Sequence, residues 1–207
     1  MGPTALTSFD PVRLGRSECD AWVGYYLRDW RLVLRSVVGM VRSGFGLSRA
    51  VSLRGAWYVL RANQAWAPYP ENDPGTAVSF MERFYALVAR THGLSFDARQ
   101  AALLEVDWWR EHRFVQRGSE IGAAAPAAPD DAALVASLTR LYAYVYGLPE
   151  ERVRPAARLR AEAMHVSDGW VARGCNTDDP GLRRQRRLLV ASYTALRQVV
   201  EQPATRR

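Results

Sequence analysis

Apolar side chains in this chain recur at helical spacing and nowhere alternate, which restricts it to an all-α fold. Between Ser17 and about Arg42, the residues Val23, Tyr26, Leu27, Trp30, Leu34, Val37 and Val41 fall on one stripe at about 100° per residue. Arg28, Arg31, Arg35 and Arg42 gather on another side, the pattern of a core-facing helix with a solvated face. Further helical segments lie between clear start and stop signals. They run from Ser48 to Trp66, from Thr76 to His92 before Gly93, and from Ser95 or Asp97 to just before Gly118. The next runs from Asp130 or Asp131 to Tyr146 before Gly147, then one from Pro155 to before Gly174, and one from Asp179-Pro180 to about Glu201. The expectation is a single-domain bundle of about seven helices over residues 1–207, with antiparallel helix pairs made by short connections. The Ala/Pro/Gly run within residues 118–129 reads as a flexible linker, and a subdivision would fall there, into 1–117 and 130–207. Trp30, Trp57, Phe84, Trp108 and Trp170 each anchor a stripe and are expected to face the interior.

Seven tryptophans and a hydrophobic share of 48% argue against disorder in a chain long enough to bury a substantial core. All 28 basic residues are arginine, and Ile121 is the sole isoleucine, a skew that fits a high-GC bacterial genome. The absence of lysine removes Schiff-base, pyridoxal-linkage and phosphate-loop chemistry. The net charge of +7 is uneven: residues 1–66 hold nine arginines against four acids, 67–150 seven against eleven, and 151–207 twelve against six. The arginine faces of the first and last helices suit an acidic protein or an anionic membrane surface. No helix-turn-helix, zinc-finger or RNP-type pattern accompanies them, so nucleic-acid binding is not expected. Cys19 and Cys175 are isolated, the opening MGPTALTSFD lacks a basic-then-apolar leader, and no long uncharged apolar window occurs. A cytoplasmic setting with free thiols follows as the expectation.

Candidate chemistry concentrates on the segment around Trp108. With Trp108 at zero, Glu105 falls near roughly 60° and His112 near roughly 40°, inside the apolar stripe marked by Ala101, Leu104 and Val115. Asp107, Arg110 and Arg113 fall elsewhere, as solvated residues do. A buried carboxylate must be paired, hydrogen-bonded or protonated. One reading is a core ion pair, with His112 satisfied by a carbonyl or hydroxyl. The other is a pocket for a small, partly apolar metabolite, where Glu105 and His112 transfer protons without a cofactor. Arg61 and Gln64 share a face with Trp57, so Arg61 is the expected partner of Glu105 or of an anionic ligand group. Tyr69, Asn72 and Asp73, on a proline-stiffened loop, would form the mouth.

A metal- or haem-dependent oxygenase is a further alternative. The spacing Glu105-x6-His112 resembles the glutamate–histidine pair on one helix of haem-oxygenase-like di-iron oxidases, and Glu162-Ala-Met-His165 has the ExxH spacing of ferritin-like carboxylate sites. That resemblance implies more histidines than this chain holds, since the only other one, His92, sits at a helix end beside Gly93. Asn72-Asp-Pro-Gly-Thr76 begins like a terpene-cyclase metal motif but meets Phe80 where an acid is required. Asp178-Asp179 before Pro180 reads as a helix cap. The sequence assigns no cofactor.

Overall fold

The computed structural model describes residue 6, residues 9–118 and residues 131–202. Among the described residues there are eight helices and no strand. They are α1 (Pro11–Tyr26), α2 (Trp30–Phe45), α3 (Arg49–Trp66), α4 (Pro74–His92), α5 (Ala98–Gly118), α6 (Ala132–Tyr146), α7 (Glu150–Ala172) and α8 (Pro180–Glu201). The expected count of seven is corrected at the first segment, which is two helices. Arg28 takes a left-handed backbone at φ 58°, and the Asp29 carboxylate accepts hydrogen bonds from Arg31 N and Leu32 N, starting α2. The apolar periodicity runs through this break although Leu27 is 44% exposed at the turn, so periodicity alone hides it. α1 begins at Pro11, where the Asp10 carboxylate caps Val12 N and Arg13 N. α7 begins at Glu150, and the expected first-turn Pro155 lies inside the helix on its exposed side. Elsewhere the punctuation acts as read: Gly93 and Gly147 end α4 and α6 at φ 62° and 63°. Of the expected linker, residues 119–129 lie outside the described residues.

The principal helix contacts join each helix to the next in sequence, and α8 to α1, so the eight helices close into a ring. Eight is an even number, so the alternation of direction carries round the ring and α8 meets α1 antiparallel. Along that seam Gly15 lies against Leu189 and Val190, Cys19 against Leu182, and Asp20 pairs with Arg186. One end of the ring carries the 27–29 and 67–73 turns and the start of α8. The other carries the 46–48, 93–97 and 147–149 turns.

Small residues set the spacing of the wall. α3 buries Ser52, Gly55, Ala56, Leu60, Ala62 and Trp66, and a Cβ at Gly55 would stand 3.2 Å from Val41 and 3.5 Å from Phe84. Trp57, expected inside, is 51% exposed. The correction has a physical reason: α3 is one stave of the wall, and close neighbours on both sides select its small face. Leu53 and Trp57 consequently turn outward, with the Arg61 guanidinium 5.8 Å from the Trp57 ring. Phe84, Trp108 and Trp170 are buried as expected, and Trp30 is half-buried.

Ring closure is testable at Gly15. A Cβ there would fall 2.7 Å from Val190 N and 2.9 Å from Leu189 C, both backbone atoms that cannot rotate away. Gly15→Ala should therefore cost about 1–3 kcal/mol by overpacking. At Gly39 the added Cβ meets only the Ser17 hydroxyl, so Gly39→Ala should be neutral or gain up to about 1 kcal/mol of helix propensity. Urea unfolding of the two variants measures both, and equal effects would contradict the seam geometry.

Candidate functional site

The ring closes around a buried polar knot. Glu18 of α1 accepts at Oε1 from Arg160 Nε (3.0 Å) and Nη2 (2.6 Å), and at Oε2 from the Tyr193 hydroxyl (2.5 Å). Arg160 of α7 also donates from Nη1 to the Tyr142 hydroxyl at 3.3 Å. Its guanidinium carbon lies 4.7 Å from the Trp108 ring centre. Burial opposes the Arg160 charge, but Glu18 and the surrounding oxygens outweigh it and push its pKa well above the ordinary value. Both oxygens of Glu18 are thus engaged and the guanidinium is met on several sides, the condition under which a buried pair persists.

Glu105 of α5 stands beside this knot. Its Oε2 accepts from the Tyr85 hydroxyl at 2.7 Å. Burial raises its pKa above the ordinary 4.5, with Arg160, Tyr85 and Trp108 pulling the other way and Glu18 adding to the rise. The Trp108 indole N–H faces the carboxylate without completing a well-formed hydrogen bond. Two turns on, His112 Nε2 lies 3.1 Å from both carboxylate oxygens of Asp168 on α7. Gln116 Nε2 donates to Asp168 Oδ1 and to the Tyr26 hydroxyl, each at 3.0 Å, and Trp22 stacks on the imidazole at 6.2 Å. An ionised carboxylate only accepts, so the His112 Nε2–H donates to Asp168.

Glu105 and His112 line one cavity of about 150 Å³, walled by Trp22, Tyr25, Tyr26, Trp66, Trp108 and Trp109. A second cavity of about 120 Å³ lies towards the far end of the ring. It shares Val37, Met40, Val59, Glu105 and Arg160 with the first and is otherwise mostly apolar, with Phe45, Met81, Phe84 and Leu141 among its walls. A third, of about 180 Å³, lies at the near end, sharing Tyr25, Tyr26, Arg113 and Gln116 with the first and adding Arg28, Ala67 and Tyr69. Glu105 and Arg160 therefore stand where the inner two meet.

Comparison with known proteins finds no match among protein families, curated proteins or solved structures.

The residues expected at the site divide into two groups. Glu105, His112 and Trp108 come together, and Tyr69 lies at the near-end cavity. Arg61 and Gln64 do not join them, because they share the outward face of α3 with Trp57. Arg61 Nη1 donates to Gln64 Oε1 at 3.1 Å in the open. The charge beside Glu105 comes from Arg160 instead. Asp73 caps α4 through Thr76 N, and neither it nor Asn72 lines the three cavities. Arg113, expected in solvent, is half-buried and lines two of them. Glu18, Arg160 and Asp168 are the site residues that the sequence reading lacks.

Other candidate groups are engaged elsewhere. Glu162 pairs with Arg184 at 3.0 Å and His165 with Asp131 at 3.4 Å, while His92 Nε2 meets Phe45 O at 2.7 Å. No group of three or more potential metal-ligating side chains occurs among the described residues. Two arginines of the cluster 183–187 are taken by the chain's own acids, Arg184 by Glu162 and Arg186 by Asp20. Burial pushes the Cys19 thiol up to about 11, which makes it a poor nucleophile at neutral pH. Among the described residues no helix is long and apolar enough to cross a membrane.

Two outcomes follow from this electrostatic arrangement. Arg160→Met leaves the Glu18 carboxylate buried without its cation and should cost about 3–5 kcal/mol, part of which Glu18→Gln in the same chain restores. Denaturant titrations of the single and double variants check this. Glu105 favours its protonated form in the folded chain. Its contribution to stability is therefore full below the ordinary value of about 4.5 and is lost as pH rises through the higher folded value. The unfolding free energy of the wild type minus that of Glu105→Gln should fall as pH increases from 4.5. A pH-independent difference would contradict the assigned environment.

Proposed function

We propose that the ring encloses a small, partly apolar organic molecule and moves a proton on it. His112, oriented by Asp168, is the base, and Glu105 is the acid. The observation that carries this reading is the convergence of both groups on one aromatic-walled cavity, each with its own hydrogen-bonded orienting partner. The partners suit the roles. Asp168 fixes the imidazole tautomer and stabilises the imidazolium that forms when Nδ1 takes a proton. Burial keeps the Glu105 carboxyl protonated to higher pH than in water, so a proton is available there to give.

The two residues are seven positions apart, which is roughly 10 Å along the helix axis. They therefore do not share one proton but face opposite ends of a ring-sized molecule. A proton leaves the substrate at the His112 end while another arrives at the Glu105 end, the balance of an isomerisation. No cofactor enters this scheme.

Solvent exchange offers a test that does not require the natural substrate. The purified chain is incubated in deuterium oxide with a panel of small carbon acids, and mass gain is read. The wild type should catalyse exchange on at least one ligand that saturates the cavity. Glu105→Gln and His112→Ala should each slow it by at least about 100-fold with helical circular dichroism unchanged. Saturable binding without exchange in the wild type, or exchange indifferent to both substitutions, would end the proton-transfer reading.

A further inference from the structure

The near end of the ring holds two arginines that no carboxylate neutralises among the described residues. Arg113, on the last turns of α5, lays its guanidinium 4.3 Å from the Trp66 ring centre and 5.3 Å from that of Tyr69. Its Nη2 donates to Trp66 O at 2.9 Å, while Nη1 is buried and has no hydrogen-bond partner among the described residues. The Tyr25 hydroxyl stands beside this guanidinium without completing a well-formed hydrogen bond to Nη1. Arg28 occupies the turn between α1 and α2 with a left-handed backbone, a conformation unfavourable for a non-glycine residue. That turn sets its guanidinium over Tyr25 and Trp30, at 5.5 Å and 5.9 Å, with Nη2 reaching Ala67 O at 3.4 Å. Among the described residues neither arginine forms an ion pair, although at the surface Arg99, Arg173, Arg184 and Arg197 each have an acid. Both line the same 180 Å³ cavity.

We infer that this cavity seats the carboxylate head of an amphipathic monoacid whose apolar body extends inward past the aromatic wall. The inference rests on the enclosed cavity proposed above and names the class of its ligand. Three features orient such a molecule. The guanidiniums of Arg28 and Arg113 line the cavity without a carboxylate partner among the described residues and supply donors for a flat, singly charged head. The next chamber is about 150 Å³, the size of an apolar cavity that takes a benzene ring. The walls of that chamber are mostly aromatic and aliphatic, so an apolar body is favoured there while the charged head stays at the entrance beside the two guanidiniums. The role expected of Arg61 on α3 thus passes to Arg113 and Arg28.

The test is a tryptophan-fluorescence titration of the full chain at low salt with three probes of equal length: 4-phenylbutanoate, 4-phenylbutan-1-ol and 4-phenylbutan-1-amine. The acid should bind at least about tenfold more tightly than the alcohol, and the amine most weakly. Arg28→Gln, at an exposed turn, should reduce the acid's affinity by about tenfold and leave the alcohol's unchanged, and Arg113→Gln should do the same or more. Equal affinities for acid and alcohol, or tightest binding of the amine, would overturn the anion site while leaving the cavity intact. Failure of all three probes to bind would overturn the enclosed cavity itself, and the anion site with it. 4-Phenylbutyl phosphate is the fourth arm: if it exceeds the carboxylate, the head group is a phosphate and the assignment of a monoacid is wrong.

Discussion

A guanidinium in the middle of a helical ring is the constraint to which the other parts answer. Arg160 cannot sit there uncompensated, so α1 must bring Glu18, α8 must bring Tyr193 to hold the other oxygen of that carboxylate, and α6 must bring Tyr142. Those three helices come from opposite ends of the chain, 142 residues apart in the case of the ion pair. Hydrophobic packing is tolerant of small slips, whereas this set of short, directional bonds is satisfied by one arrangement of helices. The knot therefore specifies the ring's register more sharply than the alanine-rich surfaces that touch along its seams.

The same knot shapes the chemistry beside it. Arg160 is close enough to favour the ionised form of Glu105, yet its charge is already committed to Glu18, so burial prevails and the Glu105 carboxyl titrates high. Had Arg160 faced Glu105 alone, the carboxylate would be a locked ion and of no use as an acid. At the other end of the cavity His112 is held by a carboxylate and a stacked indole. In the proposed scheme the acid and the base thus sit on one helix with different orienting partners, Tyr85 for Glu105 and Asp168 for His112.

Much of this was legible in the sequence, for reasons that differ from residue to residue. Glu105 and His112 stood out because polar residues inside a 3.6-residue apolar stripe are conspicuous against large neighbours such as Trp108. Arg160 was hidden by company: Arg152, Arg154 and Arg158 precede it, and in a lysine-free, arginine-rich chain one more arginine carries little signal. Its flanking alanines, Ala156, Ala157, Ala161 and Ala163, are a cue that can be read, since small residues on four sides of a long cation mark a buried row. Glu18 lies in the corresponding row of α1 with Leu14 and Ala21. The misreading of α3 has the same root. Hydrophobicity counts Trp57 and Leu53 heavily and Ser52, Gly55 and Ala56 lightly, but where helices crowd on both sides it is the small face that turns inward. The break at 27–29 leaves no mark in the apolar spacing, because exposed Leu27 at the turn keeps the periodicity of a buried residue.

The antiparallel meeting of α8 with α1 also bears on the chain's connectivity. Residue 11 and residue 201 finish adjacent helices at the same end of the ring, so the seam between them differs from the other seven joints only in lacking a covalent link. A bridge there that keeps the buried Leu6 and Phe9, with the chain reopened at another exposed turn such as 147–149, would leave the wall contacts and the polar knot in place. Read in that way the architecture is circular rather than linear, and the order in which its staves are written in the polypeptide is one of several that the same interior would accept.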